Sequence, residues 1–174
     1  QLRPVHIVCD PLPQAQHRAS DYGVVEPRAV VIGVGNRWRR DDMAGIAVVD
    51  QLRHRVGTEV DLVESDGEPT RLIDAFERAP QVIMVDAVVT GAEPGTVHRF
   101  TDTQLPDGMG IGQSSHLVQL VQTIQLGKLL GKLPNGLVLI GIEASDFDNG
   151  EGMTSQVEVG VQAAVEAVVG ELSA

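Results

Sequence analysis

One cysteine, Cys9, is all the chain has. A disulfide framework within the chain is thereby excluded, and so is a metal site built on cysteines. Aromatic residues make up only 3% of the sequence, so Val, Leu, Ile and Ala must build the core. That aliphatic, β-branched bias suits a buried parallel sheet. No stretch approaches the roughly 20 apolar residues that span a bilayer. No charged-then-apolar leader is visible either. Cytoplasm is therefore the expected compartment, and no membrane insertion is expected. Positive charge is scarce. The formal net charge of −11 argues against nucleic acid as the main partner. Familiar signatures are missing as well. Gly33-x-Gly35 lacks the third glycine of the dinucleotide fingerprint, and Trp38 stands in its place. Gly127-Lys128 is followed by Leu129 rather than Ser or Thr, which excludes a P-loop. There is no H-E-x-x-H and no G-x-S-x-G. Ser114 and Ser115 precede His116, but adjacency in sequence does not make a nucleophile–base pair.

What is present reads as one domain of 174 residues, long enough for a substantial core. Charge is uneven: residues 1–55 carry 8 basic and 6 acidic groups, and residues 56–174 carry 5 and 18. This suits either a locally cationic partner or a solvated acidic surface. Residues 1–27, broken by Pro4, Pro11, Pro13 and Pro27, read as an N-terminal extension, flexible or laid over the body. Residues 28–174 then alternate strand-like and helix-like segments. Strands are predicted at Val30–Val34, Val60–Val63, Gln81–Val89, Thr96–Phe100 and Leu137–Ile142. Helices are predicted from Asp42 to about Arg55, from Pro69 through Phe76, from His116 to about Leu130, and from Thr154 or Ser155, which can cap the last one. Residues 101–115 and 144–153 are loops. The order implies an α/β fold, a three-layer α/β/α sandwich around a mostly parallel sheet.

Polar groups sit where strands end. Val30–Val34 runs into a Gly35-Asn36 turn, and Asp41-Asp42 follows just before a helix. Asp86 interrupts an apolar strand. His116 opens a helix after a polar loop. The carboxyl ends of parallel strands converge on one rim, so Asp42, Asp86 and His116 can meet there. Two carboxylates and an imidazole suit a divalent transition metal with open positions. Each has a blander alternative. Asp42 could serve a helix macrodipole, Asp86 could bond a loop backbone, and His116 could be a cap or surface residue. Asp41 reads as a cap or a group behind the ligands. Glu143 ends a strand on the same rim. Asp146 and Asp148 read as a solvated acidic loop, and Arg37, Arg39 and Arg40 as an exposed loop able to meet an anion. His6, His17, His54 and His98 read as surface residues without acidic partners.

In order along the chain, these pieces resemble the hydrogenase maturation endopeptidases. The resemblance covers roughly residues 28–170. It runs from Gly33-x-Gly35-Asn36, Asp41-Asp42 and Gly45 through Asp66-Gly67, Val85-Asp86-Ala87 and Pro94-Gly95-Thr96. It continues with His116, Gly141-Ile142-Glu143 and Met153-Thr154. It implies a central sheet of about five strands. It also implies an aspartic-type endopeptidase that trims the C-terminus of a nickel–iron hydrogenase large-subunit precursor. Asp42, Asp86 and His116 match the family's metal-contacting trio, and the metal is nickel carried by the precursor rather than resident. Gly35, Asn36, Asp41, Asp66, Gly67 and Glu143 would contact substrate or support the trio. Residues 107–112, rich in glycine, would move on binding. The attacking group does not follow from the resemblance. Departures are Asp42 where some members have Glu, Glu68 where glycine is frequent, and Ala144 where proline is common. Two other readings compete: a nickel- or precursor-binding maturation factor that does not cut, and a small-molecule hydrolase or phosphorylase-like enzyme.

Overall fold

The computed structural model describes residues 26–101 and 115–174, with residues 115–117 described by their backbone alone. Expectations for the N-terminal extension, for Cys9, His6 and His17, and for the loop at 107–112 lie outside the described residues. The elements are β1 (Ala29–Val34), a 3₁₀ turn (Arg40–Met43), α1 (Ala44–Leu52), β2 (Val60–Ser65) and α2 (Pro69–Phe76). β3 (Gln81–Val88), β4 (Val97–Thr101), α3 (Ser115–Leu129), β5 (Gly136–Glu143) and α4 (Ser155–Ser173) follow.

The sheet has five strands in the order β2-β1-β3-β5-β4. The first three pairings are parallel, and β4 joins β5 antiparallel at one edge. The strand order reverses between the parallel neighbours β1 and β3, which is the crevice where open α/β sheets place their sites.

Strand alternation sorts the core into two faces. Val31, Ile83, Val85, Ile140 and Ile142 face α1 and α4. Val30, Ile32, Val82, Met84 and Leu139 face α2 and α3. This is the expected three-layer sandwich. The central strands are buried on both faces, which explains their continuous apolar runs. Each fully buried aliphatic side chain contributes about 1.5–3 kcal/mol. α2 is started by Pro69 and by Glu68, whose carboxylate accepts from the Thr70 N–H (3.2 Å) and the Arg71 N–H (3.0 Å). The departure at Glu68 thus supplies a helix cap.

Two glycines set the spacing around the rim. Gly35 adopts φ 145°, and a Cβ there would lie 1.9 Å from the Asp42 carbonyl oxygen. Gly45, in the first turn of α1, lies against two strands at once. A Cβ on it would fall 2.3 Å from the Val85 oxygen and 2.4 Å from the Val34 oxygen.

Candidate functional site

The turn after β1 is built from its own backbone. Gly35 N–H donates to the Ser65 carbonyl (3.0 Å), tying the end of β1 to the end of β2. Asn36 Oδ1 accepts from the Trp38 N–H (2.9 Å), a local Asx turn. The 3₁₀ turn packs against β3 and delivers Asp41 and Asp42 inward. Arg40, within it, takes φ 44°, a left-handed conformation costing about 1 kcal/mol or more in a non-glycine residue. It is held by its N–H to the Gly150 carbonyl (3.2 Å) and by its guanidinium to Asp146 (3.0 Å).

Asp42 and Asp86 form the acidic centre. Each is 1% exposed. Asp86 sits on β3 with its side chain on the α2–α3 side of the sheet, by parity with Met84 and Val88. Burial pushes its carboxyl well above the usual aspartate range, and the Asp42 charge raises it further. Among the described residues this is opposed by the Ala87 N–H, which donates to Asp86 Oδ1 (2.8 Å). The Arg39 guanidinium lies 3.6 Å from the Asp42 carboxylate. A small cleft opens beside Asp86, lined by Asp66, Gly67, Gln119 and Leu120. His116 lies in the first turn of α3, the helix that supplies Gln119 and Leu120; its side chain lies outside the described residues. Among the described residues, no three His, Cys, Asp or Glu side chains gather as metal ligands. The described part of the expected trio is therefore the carboxylate pair.

Asp41 faces elsewhere. It is 0% exposed and reaches across to the loop between β5 and α4. Its carboxylate accepts from the N–H groups of Ser145 (3.1 Å), Asp146 (3.0 Å) and Thr154 (2.7 Å) and from the Thr154 hydroxyl (3.1 Å). It caps no helix of its own, against one expectation. Thr154 was expected to cap α4 with its side chain. It stands at the cap position but makes no such bond, because its hydroxyl is spent on the buried carboxylate.

Glu143 lies at the end of β5, and its carboxylate holds the loop after β3. It accepts from the N–H groups of Thr90 and Gly91 (2.8 Å each) and from the Thr90 hydroxyl (2.7 Å). The His98 Nε2 lies 3.2 Å away. Burial alone would raise its pKa, but these hydrogen bonds outweigh it and hold the carboxyl below the usual glutamate range. His98 therefore has an acidic partner, contrary to expectation. The antiparallel β4–β5 pairing, which sets His98 opposite Gly141, supplies it across a long stretch of chain.

The arginines near Trp38 are engaged within the chain. Arg37 grips Asp50 through two hydrogen bonds (2.8 and 3.0 Å) and also meets Glu64. Arg39 donates to the Phe147 carbonyl (3.2 Å). Asp66 is exposed, accepts from the Glu68 N–H (3.2 Å) and lies 3.6 Å from Arg71. Asp146 is only partly solvated, since it takes the Arg40 contact, whereas Asp148 and His54 are exposed as expected.

A family model described as hydrogenase maturation protease matches residues 46–171. That stretch contains Asp86 and His116, and Asp42 lies four residues before it. The hydrogenase expression/formation protein HupD of Thiocapsa roseopersicina is 30% identical over 145 residues, covering 81% of this chain and 66% of that protein. This chain thus spans just under two thirds of that relative. The hydrogenase 2 maturation protease of Escherichia coli K12 is 26% identical, covering 83% of this chain and 90% of that one. Among solved structures, the hydrogenase maturating endopeptidase HybD from E. coli superposes with a TM-score of 0.71 at 23% identity, covering 84% of this chain and 92% of that chain. At that identity the likeness establishes the fold.

Proposed function

This chain belongs to the hydrogenase maturation protease family, and on that premise we propose that it removes a C-terminal peptide from the nickel-loaded precursor of a nickel–iron hydrogenase large subunit. The observation that carries the reading is the Asp42–Asp86 pair. Two carboxylates buried together, with the charge of Asp42 adding to burial in raising Asp86, are costly in isolation. A divalent cation presented by a partner would relieve both burial and repulsion. The nickel belongs to the substrate in this reading, so binding at the pair doubles as a check that the precursor is loaded. His116 is the expected third ligand, and its backbone belongs to the first turn of α3. The metal, once docked, polarises the scissile carbonyl or orients a water for attack. Among the described residues, no helix is long and apolar enough to cross a membrane, and the working compartment in this reading is the cytoplasm.

The test is a processing assay on purified protein. Nickel-loaded and nickel-free precursors are followed by intact mass. Loss of a C-terminal peptide from the loaded precursor alone is the expected result. Cleavage of both would remove the nickel check. Cleavage of neither, across several precursors, would replace the protease with a factor that binds and does not cut.

A further inference from the structure

Among the described residues β2 is an edge of the sheet, with β1 as its strand neighbour. Within a strand, the N–H and C=O of one residue point to the same side, and the side alternates along the chain. The Ser65 carbonyl accepts from Gly35 N–H and the Glu59 carbonyl from Arg28 N–H, both on the β1 side. Asp61 and Val63 share that parity. Leu62 and Glu64 therefore turn their N–H and C=O groups outward, a short template for another strand.

A groove of about 370 Å³ runs beside this edge. It exists because α2 packs on α3 and stands off β2. Ile32 and Val63 form its apolar floor, and Arg71 and Arg78 stand in its wall. Arg78 is paired with Asp61 (3.0 Å) and Arg71 lies 3.6 Å from Asp66. Both arginines of the groove are thus already engaged with carboxylates, so backbone pairing rather than a cationic anchor is what the edge offers. Glu64, Ser65 and Arg71 also line the next hollow, which reaches Trp38. Asp66 of that hollow lines the cleft at Asp86 in turn. Among the described residues, neighbouring hollows thus share lining residues in steps from the β2 edge to the acidic centre.

We infer that an extended segment of the substrate protein pairs with the outer edge of β2, through the N–H and C=O groups of Leu62 and Glu64, and is led past Asp66 to the Asp42–Asp86 centre. Strand addition supplies affinity through main-chain bonds and asks little of side chains. The inference rests on the protease reading above and adds the substrate's binding mode to it.

Leu62→Pro tests it. The substitution removes an outward N–H and leaves the β1 pairing intact, and proline is tolerated on a solvent-facing edge. With nickel-loaded precursor, KM is expected to rise about tenfold, the effect of losing one or two hydrogen bonds, while kcat is kept. A folded variant with unchanged KM, or with loss confined to kcat, overturns the inference and leaves the protease reading standing. Failure of the wild-type chain to cut any precursor removes both. Amide hydrogen exchange on the wild-type chain with a peptide spanning the precursor's cleavage site gives an answer even if the variant does not fold. Protection is expected at Leu62 and Glu64 and not along β4. Bound peptide without protection at those two amides overturns the inference.

Discussion

Asp41 and Glu143 are buried as deeply as Asp42 and Asp86, yet the two pairs live in opposite surroundings. The first two carboxylates are each ringed by three backbone N–H or hydroxyl donors or more, drawn from segments distant in sequence. They fasten the loops that frame the rim. Asp86 receives a single hydrogen bond among the described residues, from its own neighbour Ala87, and faces the like charge of Asp42. Burial therefore does not mark a functional acid by itself. What sets Asp86 apart is burial beside a like charge with one hydrogen bond among the described residues.

The sharpest way to break this contrast is Asp86→Asn. Processing of loaded precursor is expected to fall below detection, while the thermal midpoint rises by roughly 2–4 °C for each kcal/mol of repulsion removed. A folded variant that processes normally would dissolve the distinction between the pairs. Asp41→Ala should do the reverse, costing about 3 kcal/mol of stability by stranding several donors, read as a lower denaturant midpoint.

The pH dependence separates Glu143 from Asp86 by sign. Glu143 has a lowered folded pKa, so its contribution is present above its unfolded value of 4.5 and is lost as pH falls through the lower folded value. Asp86 has a raised folded pKa, so its contribution is complete below 3.8 and is lost as pH rises through the folded value. Glu143→Gln should flatten the acid limb of the stability profile by about 1–2 kcal/mol, and Asp86→Asn the opposite limb. Thermal midpoints taken across pH report both. The smallest effect is expected away from either pair: Glu68→Ala should lower the thermal midpoint slightly through loss of the α2 cap, with processing unchanged.

Much of this arrangement is legible in the sequence, and the reasons are local. An aspartate inside the apolar run Gln81–Val89 is anomalous wherever it is read, so Asp86 declares itself. Pro69 marks the start of α2 because a proline at that position costs the helix nothing. The strands at the sheet centre announce themselves by continuous hydrophobicity. What escapes the sequence depends on contacts between distant segments. The antiparallel course of β4 brings His98 to Glu143, and nothing near either residue signals it. Thr154 looks like a cap from its neighbours alone, but a carboxylate from the far side of the chain claims its hydroxyl. The acidic partners of Arg37 and Arg40 are hidden for the same reason.

Gly45 carries a consequence for how this domain can vary. Its missing side chain lets a helix touch the carbonyls of Val34 and Val85 together, so the gap between the turn bearing Asp42 and the strand bearing Asp86 is gauged by main-chain thickness. Aliphatic residues elsewhere in the interior can then be exchanged during divergence without retuning that gap. Loops and outer surfaces are free to drift while the spacing of the two buried carboxylates stays fixed.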